Sequence, residues 1–215
     1  MNTKTGNFEC IIFDLDGVIH DSIKALNEAY EKTMLEYLKK SINLTREELT
    51  KSPLDILSVI PVNLRDEALS YFNKRYLKLL DTPNFYPGIK EIISELYVAN
   101  KNIVLITSQP KDRTERILMK GSLGKFFDKV FTWRDTYGKK SKRQETVINR
   151  LILEYDILPI NIAYVTDNPT DILCARNTGI KSIGVAWGLY SMRKIELCNP
   201  DYFVLNIKSL RSLLE

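Results

Sequence analysis

Six short apolar runs punctuate the chain: ECIIF (9–13), NIVLIT (102–107), KVFT (129–132), IAYVT (162–166), SIGVA (182–186) and YFVL (202–205). Each has the length of a strand, is rich in Ile, Val or aromatics, and is bounded by turn residues. Between them lie helical patterns at 88–100, 112–123, 143–155 and 170–179, the last closed by Gly179 as a C-cap. Strands that alternate with helices predict a parallel sheet covered on both faces, an α/β chain of the doubly wound, Rossmann-like kind.

Residues 21–82 break the alternation. SIKALNEAYEKTMLEYLKK, TREELTKS and LRDEALSYFNKRYLKLL read as amphipathic helices with no strand among them. The first strand therefore leads into a helical insert, and the α/β pattern resumes near PNFYPG (83–88), whose two prolines and glycine suit a hinge or return linker. The expected organisation is a core of residues 1–20 and 83–215 carrying a small all-helical cap, 21–82.

A length of 215 residues suits such a core with a small insert. The composition, 44% hydrophobic and 27% charged, is that of an ordinary globular protein. No stretch approaches the roughly 20 apolar residues of a membrane span, and MNTKTGNFEC carries no apolar signal region. Cys10, Cys174 and Cys198 have no metal-binding or CxxC spacing, which fits a reduced, cytoplasmic protein. The net charge of +4 is too small and dispersed to argue for nucleic acid, although it mildly favours anionic substrates. The basic run GKKSKR (138–143) reads first as a solvated face.

Ligands of open α/β sheets bind beyond the carboxyl ends of the strands, so the polar residues there carry the information. Asp14 and Asp16 follow the first run, Thr107 and Ser108 close the second, and Asp167 and Asp171 follow the fourth; Lys142 opens the helix before that fourth run. Carboxylates gathered at one mouth need a cation, and an all-oxygen set favours Mg²⁺. An Asp beside the metal can attack phosphorus to form an aspartyl-phosphate. A second Asp two residues on can protonate the leaving oxygen and later deprotonate the attacking water. Hydroxyl and lysine donors would hold the phosphoryl oxygens, and Gly17 lets the chain turn where a side chain would obstruct.

DLDGVIHDS, VLITSQP, Lys142 and VTDNPTD resemble, in order, the four motifs of the haloacid dehalogenase superfamily of phosphatases, and FYPGIKEIISEL resembles the segment with which that family returns from a helical cap. The resemblance covers almost the whole chain. It implies Asp14 as nucleophile, Asp16 as general acid/base, Thr107 with Ser108 as the phosphate-binding motif, and Mg²⁺ held by Asp14, the Asp16 main-chain carbonyl and Asp167. Asp171 would orient Lys142 or a metal-bound water. The family's Lys-Pro-x-Pro run is missing; Lys142 precedes Asp167 by the family's common spacing and is preferred over Lys139 and Lys140. Thr166 stands where the family usually has Gly.

Asp16 argues for phosphoryl transfer, since the dehalogenases lack an acid there. A phosphonatase would need a cap lysine able to form a Schiff base; Lys24, Lys32 and Lys51 are available, but no pattern singles one out. A sugar phosphomutase and a non-catalytic regulatory protein on the same fold complete the alternatives. The expected partner is a small phosphorylated metabolite, with no nucleic acid and no membrane, and the chain is expected to be a monomer or homodimer. TKSPLD (50–55), with Arg46 and Lys51, is the stretch expected to read the substrate. His20 is expected at the junction of cap and core, touching solvent or backbone.

Overall fold

The computed structural model describes residues 6–136 and 143–215. Six strands form one sheet in which all pairings are parallel: β1 (Cys10–Phe13), β2 (Asn102–Ile106), β3 (Lys129–Phe131), β4 (Ile162–Thr166), β5 (Lys181–Val185) and β6 (Tyr202–Val204), in the order β3-β2-β1-β4-β5-β6. The chain builds outward from β1 to β3, then crosses back to lay β4 on the other side of β1. That reversal opens a crevice at the carboxyl ends of β1 and β4. The register sets its floor: Phe13 lies level with Leu105 and Val165, so the chain leaves three neighbouring strands at almost the same height.

Successive residues of each strand point to opposite faces. Ile11, Phe13, Ile103, Leu105, Ala163 and Val165 join one buried layer, and Cys10, Ile12, Val104, Ile106, Ile162 and Tyr164 join the other. Helices α5 (Ile89–Val98), α6 (Lys111–Gly121) and α11 (Ile207–Leu214) cover the first face. Helices α8 (Arg143–Tyr155) and α9 (Pro169–Thr178) cover the second. Each fully buried Ile contributes about 1.5–3 kcal/mol, which is why apolar patterning alone places these elements. Local signals fix the ends: Pro169 opens α9, the Asn168 side chain accepts from Thr170 N–H, and Gly179 closes it at φ 75°.

Between β1 and α5 all regular structure is helical among the described residues. Helices α1 (Ile23–Leu38) and α4 (Arg65–Leu79) pack together through stacked Tyr30 and Phe72 rings, 4.3 Å apart, with short α2 (Arg46–Leu49) and α3 (Pro53–Ile56) between them in sequence. Thr45 and Glu48 form a reciprocal cap at the start of α2. The chain enters and leaves this insert side by side: Asp21 N–H donates to Asn84 O at 2.8 Å and Tyr86 N–H to Ile19 O at 3.2 Å. The apolar interior of the insert, including Tyr30, Phe72 and Tyr76, is continuous with the first layer of the core. Two short helices, α7 (Trp133–Thr136) after β3 and α10 (Met192–Leu197) after β5, complete the chain. No helix among the described residues is long and apolar enough to cross a membrane.

Candidate active site

Asp14 follows the last residue of β1, and its N–H still donates to Val165 O of β4 at 3.0 Å, which anchors it at the crevice. Its Oδ1 accepts from Leu15 N–H at 2.7 Å. Gly17, at φ 77°, then turns the chain, and His20 N–H donates back to Leu15 O at 2.8 Å. This turn, open to glycine at little cost, places Asp16 beside Asp14.

Burial, followed by the charges of Asp171, Asp167 and Asp16, holds the Asp14 carboxyl well above the usual carboxylate range, against the Leu15 N–H. Asp16 goes the other way. Burial opposes its charge, but hydrogen bonding and charge from His20 and a bond from Gln109 hold it below its ordinary value. His20 Nδ1 lies 3.0 Å from Asp16 Oδ1, and Gln109 Nε2 donates to Asp16 Oδ2 at 2.6 Å. His20 lies at the junction of insert and core as expected and its N–H bonds backbone, but its ring is buried against an acid and not in solvent; it sits under Phe85 of the returning chain, ring centroids 6.2 Å apart.

Thr107 is buried at the end of β2, and its Oγ1 accepts from Gln109 N–H at 3.1 Å, so its hydroxyl proton remains to be donated. It does not cap α6, whose N-cap is Pro110 and shows no side-chain cap bond. Ser108 is exposed beside it.

Asp167 is buried just beyond β4 and accepts from Leu189 N–H. A β-carbon at Gly17 or Gly188 would come within 2.1 or 2.2 Å of its Oδ2, so two backbone segments close directly onto this carboxylate. Burial foremost, with Asp171 and Asp16 adding to it, pushes its carboxyl up to about 7, against the N–H groups of Leu189 and Tyr190. Asp171 is buried and accepts from Gln144 Nε2 at 2.8 Å and Thr166 Oγ1 at 2.9 Å. Thr166, where the resemblance implies Gly, uses the hydroxyl that Gly would lack. That hydroxyl donates to Asp171 and accepts from Asn168 N–H at 2.9 Å. Lys142, Lys139 and Lys140 lie outside the described residues.

The donor chemistry fits a hard divalent cation. Asp14 and Asp167 are oxygen donors whose charges are disfavoured by burial and by each other, the condition a bound cation relieves. Two carboxylates and one main-chain carbonyl, that of Asp16, would form the protein's share. Among the described residues no group of three His, Cys, Asp or Glu side chains gathers at metal-binding distances.

Residues that carry no motif signal lie around these acids. Gly188 is of this kind; Gln109 lies within VLITSQP, but its bond to Asp16, 93 positions away, arises only where distant segments meet. Arg46 donates to Gly188 O at 3.1 Å and Trp187 O at 3.4 Å, bridging the insert to the loop that supplies Leu189. Lys51 lies instead in a groove within the insert, among Met34, Ile42, Leu44 and Ile56.

The family model described as haloacid dehalogenase-like hydrolase matches residues 11–185. Among curated proteins, the phosphoglycolate phosphatase of Vibrio parahaemolyticus is 26% identical over 223 residues, covering 97% of this chain and 96% of that protein. Pyrophosphatase PpaX of Oceanobacillus iheyensis is 24% identical over 211 residues, 95% of each chain. Among solved structures, a haloacid dehalogenase-like hydrolase from Streptococcus pneumoniae superposes with a TM-score of 0.79 at 20% identity, over 97% of this chain and 99% of that one. A HAD-superfamily hydrolase of subfamily IA from Geobacter sulfurreducens gives 0.77 at 19% identity over all of both chains. These two structures share the fold.

Proposed function

Because this chain belongs to the haloacid dehalogenase-like hydrolases, we propose that it is a Mg²⁺-dependent phosphatase that hydrolyses small phosphorylated metabolites through an aspartyl-phosphate. It is a hydrolase of phosphate esters, of the phosphatase-like branch. The observation that carries the mechanism is the placement of two neighbouring acids at the mouth of the sheet: Asp14 is anchored to β4 through Val165 O beside the buried Asp167, and Asp16, two residues on, is held in place by His20 and Gln109.

In this reading the Asp14 oxygen not held by Leu15 attacks phosphorus, and the ester oxygen leaves with a proton from Asp16. Asp16 then takes a proton from the water that attacks the acyl-phosphate, which releases phosphate and restores Asp14. Thr107 and Ser108, with Lys142, bind the phosphoryl oxygens, since phosphoryl transfer depends mainly on positioning and charge stabilisation. Asp14, the Asp16 carbonyl and Asp167 would hold Mg²⁺, which would supply the positive charge that this acidic site lacks. Residues 21–82 act as a lid that selects substrate, hinged where residues 19–21 run beside 84–86.

The test is Mg²⁺-dependent release of phosphate from p-nitrophenyl phosphate and from a panel that includes phosphoglycolate and pyrophosphate, the compounds named in its relatives. Asp14→Asn should remain folded and inactive, and fluoroberyllate with Mg²⁺ should stabilise the wild type and not the variant. Turnover of Asp14→Asn near the wild-type level would overturn the mechanism.

A further inference from the structure

Asp16 is tied to the helical insert by an unbroken line of side chains. Gln109 Nε2 donates to Asp16 Oδ2 at 2.6 Å, while Gln109 Oε1 accepts from Arg113 Nη1 at 3.5 Å. Arg113 Nη2 in turn donates to Asn73 Oδ1 of α4 at 2.5 Å, and the guanidinium carbon lies 5.0 Å from the centroid of the Tyr76 ring, also on α4. The Tyr76 hydroxyl is wholly buried close to Asp16 and Gln109.

The polarity of this line admits one arrangement. With its amide as placed, Gln109 offers a donor to a carboxylate and an acceptor to a guanidinium. Flipped, it would set its oxygen against Asp16 and its NH₂ against Arg113, losing both bonds. Arg113 therefore fixes the sense of Gln109, and Gln109 fixes the plane of the Asp16 carboxyl. Arg113 is itself held by the insert through Asn73, so displacement of α4 removes one of its anchors.

We infer that Gln109 is a positioning residue for Asp16, and that Arg113 and Asn73 make this positioning depend on the placement of the lid helix α4. The inference rests on the phosphatase reading above, in which Asp16 protonates the leaving oxygen. Its consequence is that proton delivery is aligned only while the lid is seated, so a substrate that fails to seat it loses general-acid catalysis as well as binding.

The discriminating measurement is kcat/KM for two probes, p-nitrophenyl phosphate and phenyl phosphate. This ratio reports steps up to departure of the leaving group and excludes hydrolysis of the intermediate. Nitrophenolate leaves readily without a proton, whereas phenolate gains from one. Gln109→Met should lower kcat/KM for phenyl phosphate about 10–100-fold, part of the full value of a general acid, and for p-nitrophenyl phosphate less than about 3-fold. Arg113→Met and Asn73→Ala should shift the ratio in the same direction. Asn73→Ala, at a half-buried position, keeps the test available should the Gln109 variant lose its fold. Equal losses on both probes in Gln109→Met would overturn the positioning role, and wild-type ratios in Arg113→Met and Asn73→Ala would overturn the lid connection. Wild-type protein inactive on both probes would instead overturn the phosphatase reading, and with it this one.

Discussion

A β-carbon on Gly188 would lie 2.2 Å from Asp167 Oδ2 and 2.3 Å from Asp167 Cβ, so the loop after β5 and the acid after β4 share one closely packed contact. Because the overlap reaches the Cβ of Asp167, rotating that carboxylate away does not relieve it, and backbone must move. Gly188→Ala is therefore expected to raise the Mg²⁺ concentration for half-activation about 10–100-fold, the usual cost of disturbing a partner of a metal ligand. A Mg²⁺ titration of phosphatase activity checks this; an unchanged midpoint would separate Asp167 from the metal.

The acids make a pH prediction whose sign follows from linkage. Asp167 is raised from 3.8 to about 7 in the folded protein and Asp14 is raised too, so between these values the folded state binds more protons than the unfolded one. Stability without metal is therefore greatest on the acid side of that window and declines as pH rises through it. Asp16, shifted down, acts only below its ordinary value and does not offset this. A metal on Asp14 and Asp167 displaces those protons, so the rise in Tm on adding Mg²⁺ should be small near about pH 5 and larger near about pH 7.5. Thermal unfolding with and without Mg²⁺ measures it; a gain that ignores pH would place the metal elsewhere.

Asp16→Asn separates the two halves of the reaction. The variant should lose about 10²–10⁴-fold in turnover of phenyl phosphate. With p-nitrophenyl phosphate, which needs no proton to leave, Asp14 should still be phosphorylated and the adduct should persist because its hydrolysis lacks a base. Mass spectrometry of the quenched protein should find the phosphoryl increment on the peptide containing Asp14. Absence of any adduct under conditions where the wild type turns over would count against the roles given to the pair.

Arg46 is suited by sequence to meet an anionic substrate group; in the structure it bonds the carbonyls of Trp187 and Gly188. Removing it should weaken the hold between insert and core by about 0.5–1.5 kcal/mol, the net worth of such a bond. Arg46→Ala is then expected to raise KM for the preferred metabolite several-fold, while p-nitrophenyl phosphate, with few contacts to the lid, changes little. A uniform fall across both substrates would assign Arg46 to the chemistry.

The four inner strands are legible in their apolar runs because burial on both faces of a sheet leaves little choice of residue, the edge strands β3 and β6 through the turn residues that bound theirs, and Asp14 and Asp167 because each directly follows such a run. Helix α11 carries equally plain signals, with Asn206 as its N-cap and Ile207, Leu210, Leu213 and Leu214 on one face, yet it is absent from the helices that the pattern predicts. Gln109 and His20 are not legible as partners of Asp16: one bond spans 93 positions and the other depends on the tight turn after Gly17. The strand order, which creates the crevice, follows from packing of whole elements and leaves no local mark.

The adjacent entry and exit of residues 21–82 carry an evolutionary consequence. Since Asp21 N–H bonds Asn84 O and Tyr86 N–H bonds Ile19 O, the two ends of the insert are held side by side. Insertions whose ends meet at the surface of a domain are the kind a fold tolerates. In the proposed reading, changes confined to this segment would alter which substrate is taken without crossing the strands that carry Asp14 and Asp167.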